Sequence, residues 1–295
     1  MSDNNVNEEH KISEKQFLKY VAIFSAAVFG FIMAISLVRK NVKSMHSNTH
    51  AIADNFYEKV IFDDIKIKLN NDIFSHEQVI NEVRETDLID YLKKNLVKGD
   101  TIVYVSMDIG VQQLLMAKLV SQSGKVYVFN PIEKYADAIA ISAKANGFDT
   151  RIVANSHAIS DVNYDGLLVH KNGALEVDGS LQSAGYTLQK GYSAMPVSVE
   201  TLDRLCGRLQ NINVLRISFA ENLSKILRGA EQLIVRSPNI QIIADYNAKK
   251  TKDVSELENL QQQGFSVYML KNKNLEKISD LKSIPVQAEI LVIKK

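Results

Sequence analysis

Polar residues follow two apolar runs of this sequence, and their chemistry suits the binding of a polar ligand. The run Thr101–Val105 is rich in β-branched residues and leads into the polar turn 106–110, and the run Lys125–Phe129 leads into Asn130. The residues between them have helical spacing, so 101–131 predicts a strand–helix–strand unit with parallel strands. Ligands of open parallel sheets bind outside the carboxyl ends of the strands. The sequence therefore predicts a site at residues 106–110 and Asn130.

Other side chains with catalytic or metal-binding chemistry do not form a recognised pattern. The histidines lack metal-ligand spacing, because His46 and His50 lie four apart in a polar segment without a third ligand nearby. His157 follows a predicted strand, where it is either a general base or an ordinary polar residue at a strand end. The sequence contains no GxSxG, GxGxxG or phosphate-binding loop motif.

The remaining apolar segments alternate between the periods of strands and helices. Further strands are predicted near residues 151–154, 164–170, 213–218, 241–245, 266–270 and 289–294. Residues 59–69 alternate around two aspartates and predict a small hairpin. Residues 171–194 contain four glycines and are interpreted as a surface loop rather than a β-excursion. The alternation predicts an α/β fold, a three-layer sandwich with helices on both faces of one sheet.

Bulk composition excludes some classes of function. The chain of 295 residues has 35 Lys and Arg against 34 Asp and Glu, so no net field attracts nucleic acid. The single cysteine, Cys206, cannot form an internal disulfide, and its place in a predicted helix indicates a buried thiol. The length suits one large domain or two small ones.

The N-terminal part differs in composition from the rest. Residues 1–19 are polar and of mixed charge, which is typical of a disordered tail. Residues 20–38 carry no charge, and 19 helical residues span roughly 28 Å, close to the hydrocarbon core of about 30 Å. We expect a transmembrane helix here rather than a cleaved signal peptide, then a linker over 39–58 and an α/β domain over 59–295. Three basic residues flank the span on each side, so their count does not orient it.

Four segments resemble one known family. LVKGDTIVYVSMDIG, residues 96–110, resembles the strand and cofactor turn LxxGDxVxDVGANIG, and GKVYVFNP, residues 124–131, resembles GxVxAFEP. VETLDRL, from residue 199, and NVLRISFAENLSKILRGAEQLI, from residue 213, resemble TLDxL and DLLKIDVEGAELEVLRGAEELI. The chain from about residue 61 onward is thus similar to FkbM-type methyltransferases, a class I S-adenosylmethionine-dependent family. The resemblance implies a Rossmann-like, mostly parallel, seven-stranded sheet.

The resemblance also implies roles for individual residues. It places S-adenosylmethionine against Ser106, Asp108, Gly110 and Asn130. Its acidic positions leave two further candidates for catalysis besides His157. Asp245, at the end of its strand, is either a substrate contact or a solvated acid, and Glu221, one position out of register with a family acid, supplies a carboxylate or caps the next helix.

Several polar positions depart from the family pattern together. The family's aspartate, glycine and glutamate at the cofactor site are replaced, as are both acids at the later strand end, by Tyr104, Ser106, Asn130, Ser218 and Ala220. Asparagine offers one acceptor oxygen and an amide donor, so it holds one ribose hydroxyl where glutamate holds two. Packing positions on the same elements remain apolar.

The packing positions are retained while the polar pocket positions differ, and this combination indicates a non-catalytic scaffold or interaction module. The sequence therefore predicts a membrane-anchored module that docks a protein partner. The alternative is an active S-adenosylmethionine-dependent O-methyltransferase acting on a sugar or lipid-linked hydroxyl, because methyl transfer from a sulfonium depends mainly on positioning. Since the cofactor is cytosolic, the domain is expected on the cytoplasmic side of the membrane.

Overall fold

The computed structural model describes residues 56–70, 86–172, 180–218, 222–249, 251 and 253–294. The predicted tail, residues 1–19, and the predicted transmembrane helix, residues 20–38, lie outside these ranges, as does the predicted linker up to residue 55. Within the described ranges, no helix is both long and apolar enough to cross a membrane. The residues from Tyr57 onward form one compact unit.

The secondary structure of the described residues alternates between strands and helices for most of its length. The first half contains β1 (Phe56–Ile61), β2 (Ile65–Asn70), α1 (Asp87–Asn95), β3 (Thr101–Val105), α2 (Val111–Val120), β4 (Lys125–Phe129), α3 (Glu133–Ala145), β5 (Ile152–Asn155), β6 (Ala158–Ile159) and β7 (Tyr164–Lys171). The second half contains β8 (Ser180–Ser183), β9 (Tyr192–Glu200), α4 (Leu202–Leu205), β10 (Val214–Ile217), α5 (Leu223–Arg228), α6 (Glu231–Val235), β11 (Gln241–Asn247), α7 (Ser255–Gln262), β12 (Phe265–Lys271), β13 (Asn274–Ile278) and β14 (Gln287–Lys294).

The main sheet has eight strands in the order β13-β12-β14-β11-β10-β3-β4-β5. The strands from β5 to β11 are parallel, whereas β14 is antiparallel to both β11 and β12, so the sheet is mixed. The main sheet thus has one strand more than the seven that were predicted. The additional strand, β13, follows a tight turn in which Asn272 and Lys273 have positive φ, and it is polar and exposed up to Ile278, so no apolar alternation marks it.

Alternate side chains of the central strands point to two different helical layers. On one face, Val103, Leu215 and Ile242 join a buried apolar cluster with residues of α4, α5, α6 and α7. Tyr104 and Arg216 point to the opposite face, where Tyr91 of α1 donates a hydrogen bond of 2.8 Å to Gln241 of β11. Helices α2 and α3 pack over β4 and β5. The predicted three-layer α/β sandwich is therefore confirmed.

A second sheet replaces the loop predicted for residues 171–194. Its order is β6-β9-β7-β8, and strands β8 and β9 lie in or next to that segment. The prediction missed these strands because the segment has no periodic apolar anchors, and β8 and β9 form there by pairing with β7. Strand β6 pairs with β9 only at Val199 and Glu200, so Pro196 has only β7 as a neighbour and its missing N–H is tolerated. The helix predicted around Cys206 is short, because β9 continues to Glu200 and α4 covers only Leu202–Leu205.

The predicted hairpin at residues 59–69 is confirmed as β1 and β2, and side chains of α3 complete one of its edges. Asn146 accepts a hydrogen bond from the backbone N–H of Lys66 at 2.8 Å and donates one to its carbonyl at 2.6 Å. Ser142 accepts from the N–H of Lys68 at 2.9 Å. These contacts satisfy backbone groups that an unpaired edge would leave open and fix the hairpin against the helical layer.

The TLDRL and LRGAE segments meet at the junction of α5 and α6. Both carboxylate oxygens of Asp203 accept hydrogen bonds from the first turn of α6, from the N–H groups of Gln232 at 3.0 Å and Leu233 at 2.7 Å. The N–H of Asp203 in turn donates to the carbonyl of Gly229 at 2.8 Å. A Cβ atom on Gly229 would lie 2.1 Å from the carbonyl oxygen of Ser160, so only glycine fits here.

Candidate functional site

The turn between β3 and α2 lies at the carboxyl edge of the sheet, as predicted. The N–H of Ser106 donates to the carbonyl of Phe129 at 3.0 Å, which holds the start of the turn against β4. The turn ends at Gly110, which precedes α2 with a φ of +108°. A Cβ atom at Gly110 would lie 2.6 Å from Cγ1 of Ile139 on α3, so glycine serves both the backbone conformation and the close approach of the helix.

Asn130 is wholly buried, and both ends of its amide bond to the backbone. Its Nδ2 donates to the carbonyl of Asp108 at 2.9 Å, and its Oδ1 accepts from the N–H of Ile132 at 3.0 Å. Its own N–H donates to the carbonyl of Asn155 at 3.0 Å. Asn130 therefore joins the turn after β3 to the turn after β4, and its exposed surface is 0%.

Asp108 is the centre of a network of neighbouring polar side chains. Its Oδ2 lies 3.0 Å from the hydroxyl of Tyr104 and accepts a hydrogen bond of 3.2 Å from the hydroxyl of Ser218. Its Oδ1 accepts a hydrogen bond of 2.5 Å from Nε2 of Gln113, which also donates to Oγ of Ser106 at 3.0 Å. Asp108 thus bonds directly to Tyr104, Gln113 and Ser218, and Gln113 links it to Ser106.

Burial raises the pKa of the Asp108 carboxyl above its usual range. The hydrogen bonds from Gln113 and Tyr104, the positive charge of Arg216 and the hydrogen bond from Ser218 lower the pKa of Asp108 in part, without reversing the direction. A carboxyl in this environment titrates at a higher pH than a solvated aspartate because its charged form is desolvated.

Arg216 lies next to this network on β10 and was missed by the sequence reasoning. Its guanidinium is 1% exposed, forms an ion pair of 2.7 Å with Oδ1 of Asp245, and donates from NH1 to the carbonyl of Ile217 at 3.0 Å. Its Cζ lies 5.8 Å from the centre of the Tyr104 ring. The signal was visible, since an arginine inside the apolar run NVLRI is rarely buried without a partner.

The structure brings some of the predicted residues together and separates others. Hydrogen bonds join Asp108 to Asn130 and Ser218, and Gln113 links Asp108 to Ser106. Asp245 pairs with Arg216, whose guanidinium lies beside Tyr104. His157 follows the edge strand β5, two strands away from β3, and its Nδ1 is buried without a partner among the described residues. The catalytic candidate Glu221 lies outside the described residues, as does Ala220, one of the positions that depart from the family pattern.

Two other kinds of site are a reactive thiol and a metal-binding cluster. Cys206 is buried as predicted, and burial raises the pKa of its thiol to about 12, so it is a packing residue rather than a nucleophile. Among the described residues, no cluster of histidine, cysteine, aspartate and glutamate side chains has the arrangement of a metal site.

The residues at the turn do not fit a bound nucleoside in this arrangement. A ribose needs an accessible acceptor beside the first two strand ends, but Asn130 is 0% exposed and Ser106 1% exposed. The carboxylate of Asp108 adds negative charge where the methionine carboxylate of the cofactor would lie, and its hydrogen bonds come from within the chain. The chain itself keeps solvent from Ser106 and Asn130, whereas Asp108 is partly exposed.

The site lies in a mixed sheet. The strands from β5 to β11 are parallel, and β14 lies between β11 and β12 and is antiparallel to both. The chain has a Rossmann-like α/β fold with a large mixed sheet. The Rossmann-like sheet that the resemblance implies is therefore present.

Comparison with known proteins gives structural similarity without close sequence relatives. No family model matches the chain, and no curated protein matches it. Similar solved structures include an S-adenosylmethionine-dependent O-methyltransferase from Thermotoga maritima, with 14% identity and a TM-score of 0.40, covering 81% of this chain and 78% of that one. A methyltransferase from Geobacter sulfurreducens has 11% identity and a TM-score of 0.43, with coverage of 74% and 86%. Aeropyrum pernix fibrillarin, solved with S-adenosylmethionine, has 10% identity and a TM-score of 0.40, with coverage of 70% and 73%.

Proposed function

We propose that this protein is a non-catalytic interaction module of FkbM type, built on a methyltransferase fold and held at a membrane by residues 20–38. The observation that carries the proposal is the state of Asn130, which is 0% exposed and has both ends of its amide bonded to the backbone. The residue that would receive the ribose instead holds two turns of the chain together. Its position is thus used for folding rather than for ligand binding.

The surrounding substitutions support the same proposal. Tyr104 and Ser218 replace acidic residues of the family pattern, and both direct their hydroxyls at Asp108. Each change alone leaves methyl transfer feasible, because the reaction needs little acid–base assistance. Tyr104 and Ser218 thus belong to a polar network centred on Asp108, and beside this network Ser106 is 1% exposed and Asn130 0% exposed.

The full chain in detergent is expected to show no saturable heat on titration with S-adenosylmethionine or its demethylated product. A dissociation constant weaker than about 1 mM corresponds to a binding free energy of only about 4 kcal/mol, far below that of a built cofactor site. Isothermal titration calorimetry measures this directly. The proposal is wrong if the chain binds stoichiometrically and Asn130→Ala abolishes the heat while Asn259→Ala, an exposed amide on α7, retains it.

The membrane part of the proposal rests on the uncharged run at residues 20–38. Deleting these residues is expected to move the chain from the membrane fraction to the supernatant, because the run is long enough to span the hydrocarbon core. Deleting residues 1–19 instead is the matched control and leaves the chain in the membrane fraction. Equal partitioning of both deletions would contradict an anchor at 20–38.

With the anchor in place, we propose that the domain lies on the cytoplasmic side and docks a protein partner.

A further inference from the structure

A groove lies between the short helices α5 and α6 on one side and α7 on the other, in the helical layer that packs on Leu215 and Ile242. Its floor is apolar, because Leu227 of α5, Ile234 of α6 and Leu260 of α7 line it and belong to the buried cluster beneath. Its rim is polar and is formed by Arg228, Glu231, Glu256, Asn259 and Gln263. The groove therefore combines a small apolar floor with a charged rim.

The rim carries more negative than positive charge. Arg228 is the one basic residue that lines the groove in the described part of the chain, and three carboxylates share its guanidinium. Its Nε lies 3.2 Å from Oδ2 of Asp161, and its Nη1 lies 3.2 Å from Oδ2 of Asp253 and 3.4 Å from Oε1 of Glu256. Glu231 is exposed at the start of α6 and forms no ion pair within the described ranges. Four acids thus lie on or beside the rim with one cation among them.

The size of the groove suits one side chain of another protein. Its volume is about 190 Å³, below the roughly 300–1,000 Å³ of typical small-molecule pockets. Val235, which follows Ile234 in α6, is 65% exposed, so apolar surface is also present on this helix outside the groove. Protein interfaces derive much of their binding free energy from a few large side chains that fill pockets of this kind.

An arginine side chain matches both parts of the groove. Its methylene groups can pack on the floor formed by Leu227, Ile234 and Leu260 while its charged end stays at the rim. There Glu231 and Glu256 present carboxylates from two different helices. Arginine suits such a partly buried position better than lysine, because its guanidinium is more weakly hydrated and donates a planar fork of hydrogen bonds to carboxylates. An acidic side chain would be repelled by the same rim.

We propose that the groove between α5–α6 and α7 is the docking site for an arginine that a partner protein presents next to apolar residues. The guanidinium pairs with Glu231, and a neighbouring apolar side chain of the partner covers Val235. This inference rests on the proposed function, because it names the surface by which the interaction module holds its partner. The groove contains neither the turn at 106–110 nor Asn130, so binding there is measured independently of the cofactor.

Methyl NMR of the full chain in detergent, titrated with an acetylated and amidated pentapeptide, tests the proposal. The peptide carries arginine at its centre with leucine on either side. We expect shifts of the Leu227, Ile234 and Leu260 methyl groups. We also expect affinity about tenfold higher than that of the same peptide with citrulline, a neutral side chain of nearly the same shape. Equal affinities of the two peptides, or shifts confined to other methyl groups, would overturn the proposal.

Two variants of exposed acids locate the charge that matters. Glu231→Gln is expected to weaken binding of the arginine peptide about fivefold, because it removes one partly exposed ion pair. Glu258→Gln is the matched control, since this glutamate is exposed on α7 but does not line the groove, and it should bind the peptide like the wild type. Equal weakening by both variants would mean that the overall field of the surface attracts the peptide, and the assignment of the groove would be wrong.

Co-purification from detergent-solubilised membranes separates this inference from the proposed function. Glu231→Lys is expected to lose a partner that the wild type and Glu258→Lys retain, because it reverses the charge at the groove. A partner that all three retain would overturn the groove and leave the interaction module standing. A wild type without any partner would overturn both. Saturable binding of S-adenosylmethionine beside intact peptide binding would overturn only the non-catalytic role.

Discussion

Replacing Arg216 by methionine is expected to lower the free energy of unfolding by about 3 kcal/mol at about pH 8. The guanidinium is among the largest fully buried side chains of the described residues and is the cation beside Asp245 and Glu289. Its loss leaves the carbonyl of Ile217 without that donor and leaves the carboxylates of Asp245 and Glu289 without the cation beside them. Denaturant unfolding measures the change.

The matched control is Arg204→Met, which breaks an arginine–carboxylate pair of similar length at the surface. Arg204 contacts Glu200 at 2.6 Å, but its side chain is 62% exposed. Exposed pairs contribute about 0–1 kcal/mol because water and salt screen them. If Arg216→Met and Arg204→Met lowered the free energy of unfolding equally, the burial of Arg216 would not explain its contribution to stability. The loss in Arg216→Met should also be smaller at about pH 5, where a proton neutralises Glu289, because burial raises the pKa of Glu289 to about 7.

Replacing Gly229 by alanine is expected to cost about 2–3 kcal/mol of stability, despite the higher helix propensity of alanine. The new Cβ would lie 2.1 Å from the carbonyl oxygen of Ser160 and 3.0 Å from its carbonyl carbon, both backbone atoms that cannot rotate away. Relief requires separation of the α5–α6 junction from the turn after β6. That movement also strains the cap that Asp203 provides to α6.

Gly185→Ala is the matched control for this effect. No atom lies within 4 Å of a Cβ built at Gly185, so alanine there should leave stability unchanged or raise it slightly. Thermal unfolding of both variants compares a glycine required by packing with one that is not. A thermal midpoint of Gly229→Ala equal to that of the wild type would contradict the prediction, because it would show that the backbone of Ser160 moves aside at little cost.

The polar side chains around Asp108 explain how its carboxylate is accommodated in the turn between β3 and α2. A buried carboxylate costs free energy unless hydrogen bonds surround it, and here Tyr104, Gln113 and Ser218 supply them. These hydrogen bonds stabilise the turn between β3 and α2.

The hydrophobic periodicity of the sequence was sufficient to predict the parallel strands of the core, but it was insufficient to predict the polar strands. The runs at 101–105, 125–129 and 241–247 are apolar because both faces of their strands are covered, so they were predictable. Strand β13 is exposed and β9 contains Pro196, and neither has the local pattern of a strand. Both exist because a neighbouring strand offers hydrogen bonds, which is information from outside the segment.

The sequence by itself determined the α/β class, the βαβ unit at 101–131 and the meeting of residues 106–110 with Asn130, because hydrophobic period and chain direction decide where parallel strands end. Only the tertiary structure decided what those residues do. Whether Asn130 accepts a hydroxyl or joins two turns depends on backbone atoms 22 residues away. Whether Arg216 is solvated or pairs with Asp245 likewise depends on strands brought together by folding, since burial and electrostatic partners are properties of the packed chain.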